Sequence, residues 1–271
     1  MGDGPIAALP MYDFPDLRLQ TDALWTAIAQ RLSAMEIADV PSGLTRGRDH
    51  FDIWRDPDLL IGQACEYPLA TGLAGDIKLI ATPRYTAEGC LGATYKSAIV
   101  VRRQEPVDSL AGMFGRRCVI NEPSSNSGMN LLRAAIAPIA GGKPFFESVT
   151  VSGSHRQSAE MVADAEADLT AIDCVTFAHL QRFQPDITDR LRVIGWTQSS
   201  PSLPFITSAR SSEATIATMR AALAEVMEDN DLAEIRDALL IDGFDFAPDE
   251  TFTDVLNIAS YAVDRGYPLL A

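Results

Sequence analysis

The sequence predicts an α/β protein of two lobes, with mixed but mostly parallel sheets and a hinge between them. Three observations carry that expectation. Strand-like apolar runs alternate with helical patterns along most of the chain, the order expected of α/β folds. At 271 residues the chain can form one large domain or two lobes of ordinary size. Two extended stretches, near 95–102 and 202–208, bracket a central block, as in two lobes joined by two crossovers. The expected division is 1–97 with 203–271 for the first lobe and 98–202 for the second.

The elements follow in order. "IAALPMY" reads as extended. "TDALWTAIAQRLSAM" reads as a helix, with Leu24, Ile28 and Leu32 four residues apart and Thr21 or Asp22 as cap. "LLIGQA" (59–64) is a continuous apolar run of the kind buried in parallel sheets. A short helix is expected from Glu66, then strands at "IKLIATP" and "ATYKSAIVVRR", the second long enough to pass between lobes. "RRCVIN" is a strand, followed by a polar loop and a helix bearing Met129, Leu132, Ile136 and Ile139. "SVTVSG", "DLTAIDCV" and "LRVIGWTQ" read as strands. Between them lie the helices "SHRQSAEMVADAEA", where Ser154 and Gln157 fit a capping box, and "TFAHLQRF". After the extended "PSLPFITSA", three helices close the chain. They contain Ile216, Met219, Leu223 and Val226; "DLAEIRDALLID", stopped by Gly243; and about 252–264, with Gly266 beyond.

A formal net charge of −15 argues against DNA, RNA or an anionic membrane as partner. It leaves room for a small anion held by a few local donors. No apolar run approaches the roughly 18 residues of a membrane span. The opening "MGDGPIAALPMYDF" has neither a basic n-region nor an apolar h-region. It predicts a cytoplasmic protein as written, or a periplasmic one if a leader has been trimmed. Cys65, Cys90, Cys118 and Cys174 are far apart and form no CxxC pair. With three histidines besides, they read as core thiols of a reducing compartment, with no metal site, cofactor or disulfide framework.

The candidate site starts at "VINEPSSNSGMNLLRAAIAP" (119–138). Ser124, Ser125, Asn126, Ser127 and Gly128 stand where a strand ends and a helix begins. A helix start leaves backbone N–H groups unpaired and carries partial positive charge, so hydroxyls and a glycine there suit an anion. The plainer reading is a helix cap. The next strand–helix junction, "SGSHRQS", adds His155 and Ser158, with His155 as a hydrogen-bond donor, charged or neutral. Asp173 ends "LTAID", where it either accepts from a ligand or caps the following helix. Tyr12, Tyr67 and Tyr95, at strand ends, read together as one aromatic wall, near Gln63 and Glu66.

The run "YKSAIVVRR…VDSLAGMFGRRCVINEPSSNSGMNLL…VTVSGSHRQSAEMVADAEADLTAID" resembles the phosphonate/phosphate substrate-binding family of ABC transporters. The likeness is most specific over about 93–175 and extends to "LPMYD" and "RGYPLL". It implies a type II periplasmic-binding fold closing about a hinge on a small phosphonate-, phosphate- or carboxylate-bearing anion. It also implies an ABC permease as partner if the protein is exported. The family's serine-rich anion mouth would correspond to Ser125, Asn126, Ser127 and Gly128, its histidine to His155 and a pocket tyrosine to Tyr95. Asn126 stands where threonine is frequent. The alternatives are an enzyme on the same fold, resembling menaquinone-pathway lyases or thiamine-precursor synthases, and a cytoplasmic sensor. The enzyme lacks a convincing acid–base pair, Asp173 with His155 being the best available.

Overall fold

The computed structural model describes residues 4–246 and 251–271. In chain order the strands are β1 (Ile6–Ala8), β2 (Leu59–Gln63), β3 (Ile77–Tyr85), β4 (Thr94–Tyr95), β5 (Ser97–Arg102), β6 (Arg117–Ile120), β7 (Ser148–Val151), β8 (Leu169–Asp173), β9 (Leu191–Trp196), β10 (Ser200–Pro201), β11 (Phe205–Ser208) and β12 (Ile241–Asp245). The helices are α1 (Arg18–Ala34), α2 (His50–Trp54), α3 (Glu66–Pro68), α4 (Leu131–Ala140), α5 (His155–Ala163), α6 (Cys174–Phe183), α7 (Pro185–Thr188), α8 (Glu213–Glu228), α9 (Ala233–Ala238) and α10 (Thr251–Asp264). The chain forms two compact units, Met1–Thr86 with Pro201–Thr251, and Ala87–Ser200 with Phe252–Ala271.

The first unit is a sheet in the order β1-β2-β11-β3-β12. β1 and β2 pair parallel, β11 enters antiparallel between β2 and β3, and β12 runs antiparallel to β3. All five residues of β2 are buried, as its unbroken apolar run requires. α1 and α8 pack together, burying Leu24, Ile28 and Leu32 from one and Ile216, Met219, Leu223 and Val226 from the other. These are the positions that helical spacing selects.

The second unit is a sheet in the order β7-β6-β8-β5-β9. β6 pairs parallel with β7 and β8, while β5 runs antiparallel to β8 and β9. Both sheets are therefore mixed. β5 and β11 run against their neighbours soon after the chain enters each unit, so most adjacent pairs are antiparallel although most strands share one direction.

The structure divides the chain differently from the sequence expectation in two places. The first crossing falls between Thr86 and Ala87, directly after β3, rather than at 97/98. β5 cannot be a connector because β8 and β9 bond it on both edges, with Ser97 opposite Asp173 and Ala98 opposite Trp196. The last twenty residues also belong to the second unit. There Arg133 Nη1 donates to the Pro268 carbonyl at 2.6 Å, and the Phe145 and Phe146 N–H groups donate to the Ala271 carbonyl at 2.6 and 3.1 Å.

Two helix boundaries also shift. α1 begins at Arg18, so Thr21 lies inside it and bonds the Leu17 carbonyl at 3.0 Å instead of capping. α9 stops at Ala238, where the expected helix ran on to Gly243. Leu240 turns the chain at φ 59°, and β12 then pairs with β3. At Gly243 the Arg84 guanidinium lies where a side chain would sit, 2.1 Å from a Cβ position.

Candidate functional site

The polar mouth lies in the second unit, after β6. Ser125 is the N-cap: its Oγ accepts from the Gly128 N–H at 3.0 Å. The first turn, Asn126–Asn130, is a π-turn in which the Asn130 N–H reaches back to the Ser125 carbonyl at 3.0 Å. It leads directly into α4. Such one-residue insertions widen a turn and recur at functional sites. Ser124 Oγ lies 3.2 Å from Glu122 Oε2. Ser127 Oγ lies 2.7 Å from His155 Nε2 and 3.3 Å from Ser125 Oγ, and Ser97 Oγ donates to the Ser127 carbonyl at 3.0 Å.

Gly128 has a structural reason. A Cβ there would lie 1.9 Å from Asn121 Oδ1 and 3.2 Å from His155 Cε1. Those two side chains take up the place a side chain at 128 would occupy.

Asn126 is fully buried and belongs to a directional network. Arg133 Nη2 donates to Asn130 Oδ1 at 3.0 Å, and Asn130 Nδ2 donates to Asn126 Oδ1 at 2.9 Å. Asn126 Nδ2 then donates to Tyr95 Oη at 3.1 Å and to Ser200 Oγ at 2.8 Å. The sense follows from the arginine, which can only donate. It makes Asn130 present its oxygen, which turns the Asn130 amide toward Asn126, and so on outward. Both end hydroxyls accept within the network. Arg133 and Asn130 were not among the expected site residues. Their spacing from Asn126, at i+7 and i+4, would have flagged one helix face. Ser200, Ser97 and Asn121 carry no such signal, because only the fold brings them close.

His155 opens α5, whose N-cap is Ser154, accepting from the Gln157 N–H at 3.1 Å. Burial pushes the imidazole down to about 4 from its ordinary 6.5, so it is neutral near pH 7. It acts through one N–H and one lone pair, not as a cation. Its Nδ1 is buried with no hydrogen-bond partner among the described residues. Ser158 pairs instead with Ser152, Oγ to Oγ at 2.7 Å. Asp173 takes the capping role: its Oδ1 accepts from the Thr176 N–H at 2.9 Å at the start of α6.

The tyrosines divide between the units. Tyr95 lies on β4 of the second. In the first, Tyr12 stacks edge-on to Tyr85 at 5.3 Å. Gln63 Nε2 donates to Tyr85 Oη at 2.9 Å and to the Leu203 carbonyl at 3.3 Å. Tyr12, Gln63, Tyr85 and Phe205 line a small pocket within the first unit. Tyr67 lies on α3 beside the fully buried Glu66. Among the described residues no group of His, Cys, Asp and Glu could hold a metal, and no helix is long and apolar enough to cross a membrane.

Comparison with known proteins gives the family and the fold. The family model described as "ABC transporter, phosphonate, periplasmic substrate-binding protein" matches residues 56–252. The chain belongs to that family. The family is one of solute-binding proteins rather than enzymes, its members are periplasmic, and the enzyme alternative finds no support. The fold is that of type II periplasmic-binding proteins. A binding-protein component of an ABC phosphonate transporter from Pseudomonas aeruginosa superposes with TM-score 0.74 at 16% identity, covering 97% of this chain and 88% of that one. The PhnD1 protein of Prochlorococcus marinus, in complex with methylphosphonate, gives 0.73 at 15%, covering 97% and 98%. A Xanthomonas citri protein bound to ATP gives 0.69 at 13%, covering 97% and 98%. No curated protein sequence matches the chain significantly.

Proposed function

We propose that the protein captures a small phosphonate- or phosphate-bearing anion at the Ser124–Gly128 helix start and delivers it to an ABC permease from the periplasm. The carrying observation is the 2.7 Å bond between Ser127 Oγ and the neutral His155 at the N-terminus of a helix. The helix end supplies partial positive charge and backbone N–H donors, so no cationic side chain is required. With Nε2–H donating to Ser127 Oγ, the serine turns its own proton to the anion. Ser200, held as an acceptor by Asn126, directs its proton the same way. Bound methylphosphonate in the Prochlorococcus marinus relative and the transporter assignment of the Pseudomonas aeruginosa relative support this ligand class.

Calorimetric titration with methylphosphonate, phosphate, sulfate and small carboxylates tests the reading. A hydrogen bond to a charged group contributes about 1.5–3 kcal/mol, so Ser127→Ala should weaken binding by roughly 10- to 150-fold. No binding of any phosphonate or phosphate would reject the proposed ligand. Binding that Ser127→Ala and His155→Ala leave unchanged would move the site elsewhere.

A further inference from the structure

Cys90 and Cys174 stand 84 positions apart, yet their sulfurs lie 3.3 Å from each other within the second unit. We propose that these two cysteines form a disulfide when the protein is in an oxidising compartment. This inference does not depend on the identity of the ligand.

The backbone holds both partners in place. Gly89 has φ 99° and lies against Trp196 and Cys174: a Cβ on it would be 2.8 Å from Trp196 Cζ3 and 3.1 Å from Cys174 Cβ. The absence of a side chain there lets the turn settle onto Cys174. The Cys90 N–H bonds the Ala87 carbonyl at 3.0 Å, and Leu91 and Thr94 bond each other in both directions. On the other side the Cys174 N–H bonds the Lys96 carbonyl at 3.1 Å, and Asp173 caps the helix that Cys174 begins. A disulfide is about 2.05 Å long, so the sulfurs must approach by roughly 1.3 Å, within reach of side-chain rotation and small backbone shifts. Cys118 is buried in β6 and Cys65 belongs to the first unit.

Exposure sets the order of reaction. Cys90 is half-buried and Cys174 is buried. Its hydrogen bond to Cys90, with burial second, raises Cys174 above the usual thiol range. The Cys90 thiolate attacks an external disulfide, either small or on a protein oxidant. That forms a mixed disulfide and expels one thiolate. Cys174 gives its proton to solvent and attacks the Cys90 sulfur, expelling the second thiolate. Two cysteine thiols are oxidised, and the oxidant's disulfide is reduced to two thiols that take up the two protons. The bridge ties the turn preceding Tyr95 to the start of α6, restricting the strand whose hydroxyl Asn126 holds.

The test uses the whole protein, fully reduced and then equilibrated with oxidised glutathione. Thiols are alkylated in denaturant and counted by mass spectrometry. The expected count is two, at Cys65 and Cys118, with a peptide cross-link between the segments carrying Cys90 and Cys174. Reduction should restore a count of four. Closing so long a loop should raise Tm by about 5–10 °C. Four alkylated thiols, a cross-link between another pair, or Cys90 halted as its glutathione adduct would overturn the proposal. So would a bridged form melting no higher than the reduced one. The Cys90→Ser variant assigns the pair: it should show no intramolecular bridge.

Discussion

Asn126→Ala separates two roles for the residue at the centre of the helix start. The sequence presents Asn126 as a ligand contact. The structure buries it completely and bonds its amide to Tyr95, Ser200 and Asn130 at 3.1, 2.8 and 2.9 Å. Each such bond contributes about 1 kcal/mol net, and deleting one partner also leaves buried groups without their mate. The variant should therefore lose about 3–4 kcal/mol, which for a chain of this size lowers Tm by roughly 6–16 °C. Ser125→Ala, which removes only the N-cap oxygen, should cost about 1 kcal/mol. The assay is urea unfolding followed by circular dichroism, with the slope checked for constancy. Because Arg133 sets the direction of the network, Arg133→Met and Asn126→Ala should be non-additive in a double-mutant cycle. Stability loss below about 1 kcal/mol in Asn126→Ala, with anion affinity reduced all the same, would refute the structural role and restore the ligand contact.

Two further outcomes follow from the same geometry. Gly128→Ala should cost about 1–3 kcal/mol by overpacking against Asn121 and His155, and Asn121→Ala should relieve most of that. An equal cost in both backgrounds, read from unfolding midpoints, would place the clash elsewhere. Stability should also fall on acidification. Burial pushes His155 and His179 down to about 4, with the Arg182 charge adding to the effect at His179. The unfolded chain binds protons below its ordinary 6.5, while the folded histidines stay neutral until about 4. Their stabilisation is thus complete above pH 6.5 and is lost as pH falls toward 4. For His179 the loss at pH 5 is about 2 kcal/mol, and less for the partly exposed His155. His179→Gln should flatten the decline in urea midpoint between pH 8 and 5; an unchanged slope would exclude His179 as its source.

Much of the site was readable at the level of local chemistry. A hydroxyl-rich junction between an apolar strand and a periodic helix marks a helix start whatever the fold; Ser154 caps where expected, and Ser125 supplies the cap of the plainer reading. Asp173 was left between two roles because both need an acceptor at a strand end, and only the position of the Thr176 N–H resolves the cap. Gly128 signals close approach without saying of what. The neighbour is Asn121, seven residues earlier, returned by the β6-to-helix turn.

The sequence by itself determined the alternation of strands and helices, the buried faces of α1, α8 and β2, the Ser154 cap and the family. All of these depend on residues close together in the chain or on a pattern repeated along it. Tertiary structure alone decided the rest. It set β5 as an inner strand rather than a connector, returned the last twenty residues to the second unit, and ended α9 early so that β12 could pair with β3. It also brought Cys90 to Cys174 and Ser200 to Asn126. The physical reason is common to them all. Edge-on strand pairing, burial and side-chain hydrogen bonds act between residues far apart in sequence, and no local propensity encodes which partners the sheet will bring together.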